Sequence, residues 1–95
     1  MSIKELYEIF IKSNGVVTDS RQINSNCLFF SLKGVNFNGN KFAKSAINKG
    51  AMYAVVDEKK YYLDDEKFIF VNDSLKTLQE LANFHRKKLS TKIIG

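Results

Sequence analysis

Two short polar stretches of the chain carry side chains whose types and spacing suit ligand chemistry. The first is Thr18-Asp19-Ser20-Arg21, directly after the β-branched run Val16-Val17. Hydroxyls bond a base or a ribose, and an arginine fork matches a phosphate in geometry as well as in charge. The same four residues also fit a local turn in which the Asp19 carboxylate caps the backbone and pairs with Arg21. The second stretch runs from Lys33 to Asn40 (Lys-Gly-Val-Asn-Phe-Asn-Gly-Asn). It follows an apolar run and leads into a helical pattern, so its backbone N–H groups lie where a helix begins and anions are favoured, and Lys33 adds charge. Phe37 either stacks on a base or anchors the loop on the core.

Other reactive residue types are thinly spread. There is no GxxxxGKS/T phosphate loop and no GxGxxG. One histidine cannot make a two-histidine metal site, and a lone cysteine has neither disulfide nor zinc spacing. His85 falls on the apolar stripe of a helix and reads as a core-edge residue. Cys27 opens an apolar run and reads as packing. Asp64, Asp65 and Glu66 read as a solvated loop. No catalytic residue and no metal ligand is assigned.

The elements that must position the two stretches follow from periodicity. Ser2 and Glu5 form a capping box, and Ile3, Leu6 and Ile9/Phe10 recur at helical spacing until Asn14-Gly15. Val16–Thr18 reads as a strand. Cys27–Leu32 is apolar almost throughout, as in a strand buried on both faces. Asn38-Gly39 is a hairpin signal, but Phe42, Ala43, Ala46 and Ile47 share one helical face beyond it, so strand–loop–helix is the better reading. Gly50 ends that helix. Ala51–Val56 and Phe68–Val71 are further strands. Asp73 caps a third helix, with its stripe at Leu75, Leu78, Ala82, His85 and Leu89, and Thr91–Ile94 begins a last strand. Helices alternating with apolar strands predict an α/β three-layer sandwich, a small mixed or mostly parallel sheet between helices.

Composition narrows the class. The 95 residues make one domain, 44% hydrophobic and 13% aromatic, and no apolar run is long enough for a membrane span. The start lacks the build of a signal peptide, so a cytoplasmic location is expected. The net charge of +5 is compatible with nucleic acid or with a phosphorylated small molecule. The basic residues are nearly all lysine, with Arg21 and Arg86 the exceptions, which disfavours a specific nucleic-acid reader. A basic phosphate-binding module is the rival class; a scaffold domain packed on a partner is a third.

The order of several motifs resembles one family. Thr18-Asp19-Ser20-Arg21, then Leu28-Phe29-Phe30-Ser31-Leu32-Lys33-Gly34, then Phe37-Asn38-Gly39-Asn40-Lys41-Phe42-Ala43, then Ala46, Gly50-Ala51 and Val55-Val56 are similar to the N-terminal domain of the Mur ligases, the ATP-dependent amino-acid ligases of bacterial peptidoglycan synthesis. The resemblance is greatest to the type that adds D-alanyl-D-alanine to a UDP-muramoyl-tripeptide (MurF), with the type that adds the third stem-peptide residue (MurE) close behind. It implies that residues 1–95 form a single domain gripping the UDP part of a UDP-muramoyl-peptide, through Thr18, Ser20 and Arg21 and through Lys33, Val35, Asn36, Phe37 and Asn38. It also implies that ATP and magnesium belong to the full-length enzyme, whose central domain would begin near Ile93-Ile94-Gly95, and that this piece holds no cofactor and does not itself ligate. Two departures stand out. Asn40 occupies a position where many members carry histidine, and Asn26-Cys27 replaces the usual glycine before the strand.

Overall fold

The computed structural model describes residues 2–34, 37–62 and 66–94. Helix α1 (Ile3–Lys12) begins as its sequence requires: the Glu5 amide donates to Ser2 Oγ at 3.2 Å, and the Ser2 amide donates back to the Glu5 carboxylate. Six strands follow in chain order with two further helices: β1 (Val16–Val17), β2 (Leu28–Phe30), β3 (Lys33–Gly34), β4 (Phe37–Asn38), α2 (Ala43–Asn48), β5 (Tyr53–Val56), β6 (Phe68–Phe70) and α3 (Ser74–Ile94). Strands β1, β2, β5 and β6 form one parallel sheet in that spatial order, in the register Val16↔Leu28, Phe29↔Ala54 and Val55↔Ile69. Strands β3 and β4 make a small antiparallel ladder beside it. Asn38-Gly39, the hairpin signal of the sequence, leads into the 3₁₀ turn Gly39–Phe42 ahead of α2.

Burial of both sheet faces explains the apolar runs. On one face Cys27, Phe29, Ala54, Val56 and Phe68 pack against Ala43 and Ala46 of α2. On the other, Leu28, Phe30, Val55 and Ile69 pack against Leu6 of α1 and Leu81 of α3. Each large apolar side chain taken fully out of water contributes about 1.5–3 kcal/mol. The Tyr7 hydroxyl lies 3.1 Å from His85 Nδ1, and the Phe10 ring meets His85 edge-on, so the histidine joins α1 to α3 at the core's margin as expected.

Three expectations are corrected. Helix α3 buries Leu81 and packs the half-buried Leu78 against the core, while Leu75 is 51% exposed and Ala82 and Leu89 also face solvent. The stripe is thus turned by about one residue, because both phases offer leucines at helical spacing and only packing on β2, β5 and β6 separates them. Thr91–Ile94 continues α3 and does not begin a strand. No glycine or proline interrupts residues 74–94 and, among the described residues, no strand lies beside them to pair with. Phe42, placed on the core face of α2 by periodicity, is 38% exposed on the 3₁₀ turn before that helix. Asp64 and Asp65 lie outside the described residues.

Two connections show why particular residues stand where they do. Helix α2 ends with the Ala51 amide donating to Ala46 and the Gly50 amide to Ile47, a Schellman closure that needs the φ of +119° at Gly50. Asn26, the departure noted before β2, has φ +62°, a left-handed conformation that glycine or asparagine adopts most readily.

At the carboxyl end of the sheet a polar knot joins four segments. Asp57, immediately after β5, has a side chain only 8% exposed. Its Oδ2 accepts the Ser74 amide at 2.9 Å; its Oδ1 accepts Asn40 Nδ2 at 2.8 Å and lies 3.4 Å from Lys33 Nζ. The Asp57 amide donates to Asn40 Oδ1 at 3.0 Å, closing a reciprocal pair. Asn38 Oδ1 accepts both the backbone amide and the side-chain Nδ2 of Asn40, and Asn38 Nδ2 donates to the Glu58 carboxylate. Burial pushes the Asp57 carboxyl up, but the Ser74 amide, Asn40 and Lys33 outweigh that and hold it below the ordinary carboxylate range. Gly39 sits beneath this knot: its amide donates to the Leu32 carbonyl at 2.7 Å, and a Cβ there would come within 2.8 Å of the Leu32 backbone N and O.

Four substitutions check this account by urea denaturation. Leu81→Ala should cost about 2–5 kcal/mol, while Leu75→Ala should stay within about 0.5 kcal/mol; equal costs would contradict the phase of α3. Gly39→Ala should cost about 1–3 kcal/mol, since backbone atoms must give way. Asp57→Asn should cost about 1–3 kcal/mol near neutral pH. Because the folded pKa of Asp57 is depressed, its stabilisation is present above the unfolded value of about 3.9 and lost as pH falls through the folded value. The gap between wild type and Asp57→Asn should therefore narrow below about pH 4, and a constant gap would sink the assignment.

Candidate functional site

In an open parallel sheet, ligands gather at the carboxyl ends of the strands. Here those ends carry the Thr18–Arg21 turn after β1, Ser31 to Gly34 after β2, Asp57-Glu58 after β5 and Asn72-Asp73 after β6. The turn after β1 is built locally. Asp19 is extended, its Oδ1 accepts the Arg21 amide at 2.9 Å, and its carbonyl accepts the Gln22 amide, which winds Ser20–Gln22 into a 3₁₀ turn. Arg21 lies side-on to the same carboxylate, Nε to Oδ1 at 3.1 Å and Nη2 to Oδ2 at 2.9 Å. Hydrogen bonds from Arg21 lower the Asp19 pKa, and the Asp19 hydrogen bond raises that of Arg21. The local turn weighed from sequence is therefore formed. Arg21 engages Asp19 with one edge of its fork, and its side chain is 87% exposed.

The turn is held from below. Lys49, at the end of α2, donates from Nζ to the Ser20 carbonyl at 3.0 Å, and Ser20 is buried. Beside it opens a hollow of about 490 Å³ lined by Thr18, Asp19, Ser20, Arg21 and Phe42. Hydroxyls, a cation and an aromatic face thus converge on one space. Such a set can recognise an anionic ligand that carries a flat ring. A second hollow, of about 390 Å³, lies at the opposite sheet edge between the first turns of α1 and α3. Its lining includes Asp73, whose carboxylate already caps α3 by accepting the Lys76 amide at 3.1 Å.

The residues expected from sequence divide into two groups. Thr18, Ser20 and Arg21 line the first hollow. Lys33 and Asn38 belong to the polar knot, bonded to Asp57 and to Asn40 and Glu58. Phe37 is described through its backbone, paired with Gly34. Val35 and Asn36 lie outside the described residues. Sequence reasoning missed Phe42, Lys49 and Asp57. The signal for Asp57 was available, since an acid directly after a buried strand stands at a carboxyl edge. Phe42 and Lys49 flank α2 at its two ends, and spacing alone does not reveal that both meet the turn after β1.

Comparison with known proteins gives a consistent result. Residues 12–86 match the family described as "Mur ligase family, catalytic domain". The chain is 36% identical over 88 residues to the UDP-N-acetylmuramoyl-L-alanyl-D-glutamate–2,6-diaminopimelate ligase of Rickettsia typhi, covering 92% of this chain and 18% of that one. It is 34% identical over 83 residues to the UDP-N-acetylmuramoyl-tripeptide–D-alanyl-D-alanine ligase of Bacillus subtilis, covering 86% and 18%. Among solved structures, the MurF ligase of Thermotoga maritima in complex with ADP superposes with a TM-score of 0.69 at 26% identity, over 83% of this chain and 17% of that one. A MurF structure from Acinetobacter baumannii shares the fold, with a TM-score of 0.71 at 23% identity, over 92% of this chain and 21% of that one. The chain thus spans about a fifth of the length of these relatives. A match over residues 12–86, the three-layer fold and the ordered motifs agree: the chain belongs to the Mur ligase family.

Proposed function

We propose that this chain is the substrate-holding part of a peptidoglycan-building ligase, and that it grips the UDP portion of a UDP-muramoyl-peptide. The observation that carries this reading is the convergence of Thr18, Ser20, Arg21 and Phe42 on one hollow at the carboxyl edge of a parallel sheet. Lys33, Val35, Asn36, Phe37 and Asn38, after the neighbouring strand, are the second arm of the proposed grip. The family's MurF type fits best, on the motif from Phe37 to Ala43 and on the MurF fold neighbours; the MurE type is the alternative, and relatives of both types match at similar identity.

The parent enzyme would use ATP and magnesium to activate the terminal carboxylate of the stem peptide, which an amine then attacks. The residues of this chain do not fit that chemistry. There is no GxxxxGKS/T loop in the sequence, and among the described residues no three His, Cys, Asp or Glu side chains gather at a metal-binding site. We therefore assign ATP and magnesium to other parts of the parent protein. This chain binds and orients one end of the substrate.

The reading is tested by two-dimensional amide NMR during titration with UDP-N-acetylmuramoyl-tripeptide, with UDP and ATP as comparisons. Shifts confined to Thr18–Arg21, Lys33–Asn40 and Phe42, caused by the UDP ligands and not by ATP, are expected. Shifts scattered over the lysine-bearing surface, caused by any polyphosphate and erased by modest salt, would instead favour a general phosphate- or nucleic-acid-binding module.

A further inference from the structure

We infer that Phe42 is the base-stacking wall of the hollow and so sets its preference for a nucleotide over other phosphorylated ligands; this rests on the proposed UDP-holding role. The ring is 38% exposed, whereas the residues after it in α2 that share the apolar pattern, Ala43 and Ala46, are buried. It lines the same hollow as the Thr18–Arg21 turn. The rest of the lining, Thr18, Asp19, Ser20 and Arg21, supplies hydrogen-bonding groups and charge. A ligand fitting this lining has a flat, weakly polar ring in one part and hydroxyl or phosphate groups in another. A nucleotide has that shape, since every base presents a π face whatever its edge carries.

The backbone around Phe42 suits a stacking wall because it is held before any ligand arrives. The turn that carries it starts at Gly39, pressed on the Leu32 backbone. It passes through Asn40, tied to Asn38 and Asp57, and ends with the Ala43 amide donating to the Asn40 carbonyl. A side chain on such a backbone loses little freedom on binding, which is how preorganisation raises affinity. The Thr18–Arg21 turn is likewise held, by Lys49 on the Ser20 carbonyl.

The test compares wild type, Phe42→Tyr and Phe42→Leu, each titrated with UDP and with ribose 5-phosphate, following both the protein amides and the uracil H5 and H6 resonances. Expected are upfield ring-current shifts of H5 and H6 on wild type and Phe42→Tyr, their loss on Phe42→Leu, and about a tenfold weaker affinity of Phe42→Leu for UDP. Ribose 5-phosphate should bind all three proteins alike. The amide spectra report whether each variant is folded. If UDP shifts the Thr18–Arg21 amides equally in all three proteins and leaves H5 and H6 unmoved, the stacking role is overturned and the UDP-holding role stands. If UDP moves no amide of that turn in wild type, the UDP-holding role falls and the stacking role falls with it.

Discussion

A carboxylate that is almost wholly out of water must be surrounded by donors, and the architecture around this site follows from how Asp57 meets that demand. Its partners come from three separate segments: the Ser74 amide from the start of α3, Asn40 from the 3₁₀ turn and Lys33 from β3. Losing one partner of a buried charge is far costlier than never having buried it. The three segments are therefore held at mutual distances set by one side chain. The reciprocal bond from the Asp57 amide to Asn40 adds a second constraint on the same turn. Phe42, close behind Asn40 in sequence, inherits its place from that anchoring.

The two arms of the site are secured by different physics. Lys33 and the Asn38–Asn40 turn are tied by buried polar bonds and by backbone contact at Gly39. The Thr18–Arg21 turn is largely self-sufficient, wound by Asp19 and supported by a single lysine from α2. The first arrangement leaves no room for a Cβ at Gly39 without a shift of the Leu32 backbone. The second leaves Arg21 in solvent, where a long cation can reorient toward an incoming anion.

Much of the fold was legible wherever a local signal coincided with a packing demand. The capping box at Ser2 and Glu5 and the glycine stop at Gly50 are written in residues that satisfy specific backbone groups. The all-apolar run from Cys27 to Phe30 marks a strand covered on both faces. The phase of α3 was not legible, because leucines at 75, 78, 81 and 89 support two stripes and the sheet decides between them. Nor was the fate of Thr91–Ile94, whose β-branched residues suit a strand only when another strand is there to pair with. Of the site, the hydroxyl and arginine turn stood out because its residue types are unusual after an apolar strand. Asp57 and Phe42 were hidden, since their roles depend on which loops the sheet order brings together. The asparagine standing at position 26 in place of glycine is now intelligible, as its backbone is left-handed.

The order β1-β2-β5-β6 has a dynamic consequence. Its central strands, β2 and β5, are flanked on both sides, so their amides should exchange with solvent only when the whole domain opens. Strand β1 is an edge of two residues with a single neighbour. Local fraying there breaks few bonds and leaves both cores intact. The segment bearing Thr18–Arg21 is thus hung on the least protected part of the sheet, while the turn that ends at Phe42 is tied through Gly39 and Asn40 to residues just after the central strands. A ligand bridging the two would quiet the frayed edge, and part of its intrinsic affinity would be consumed in doing so.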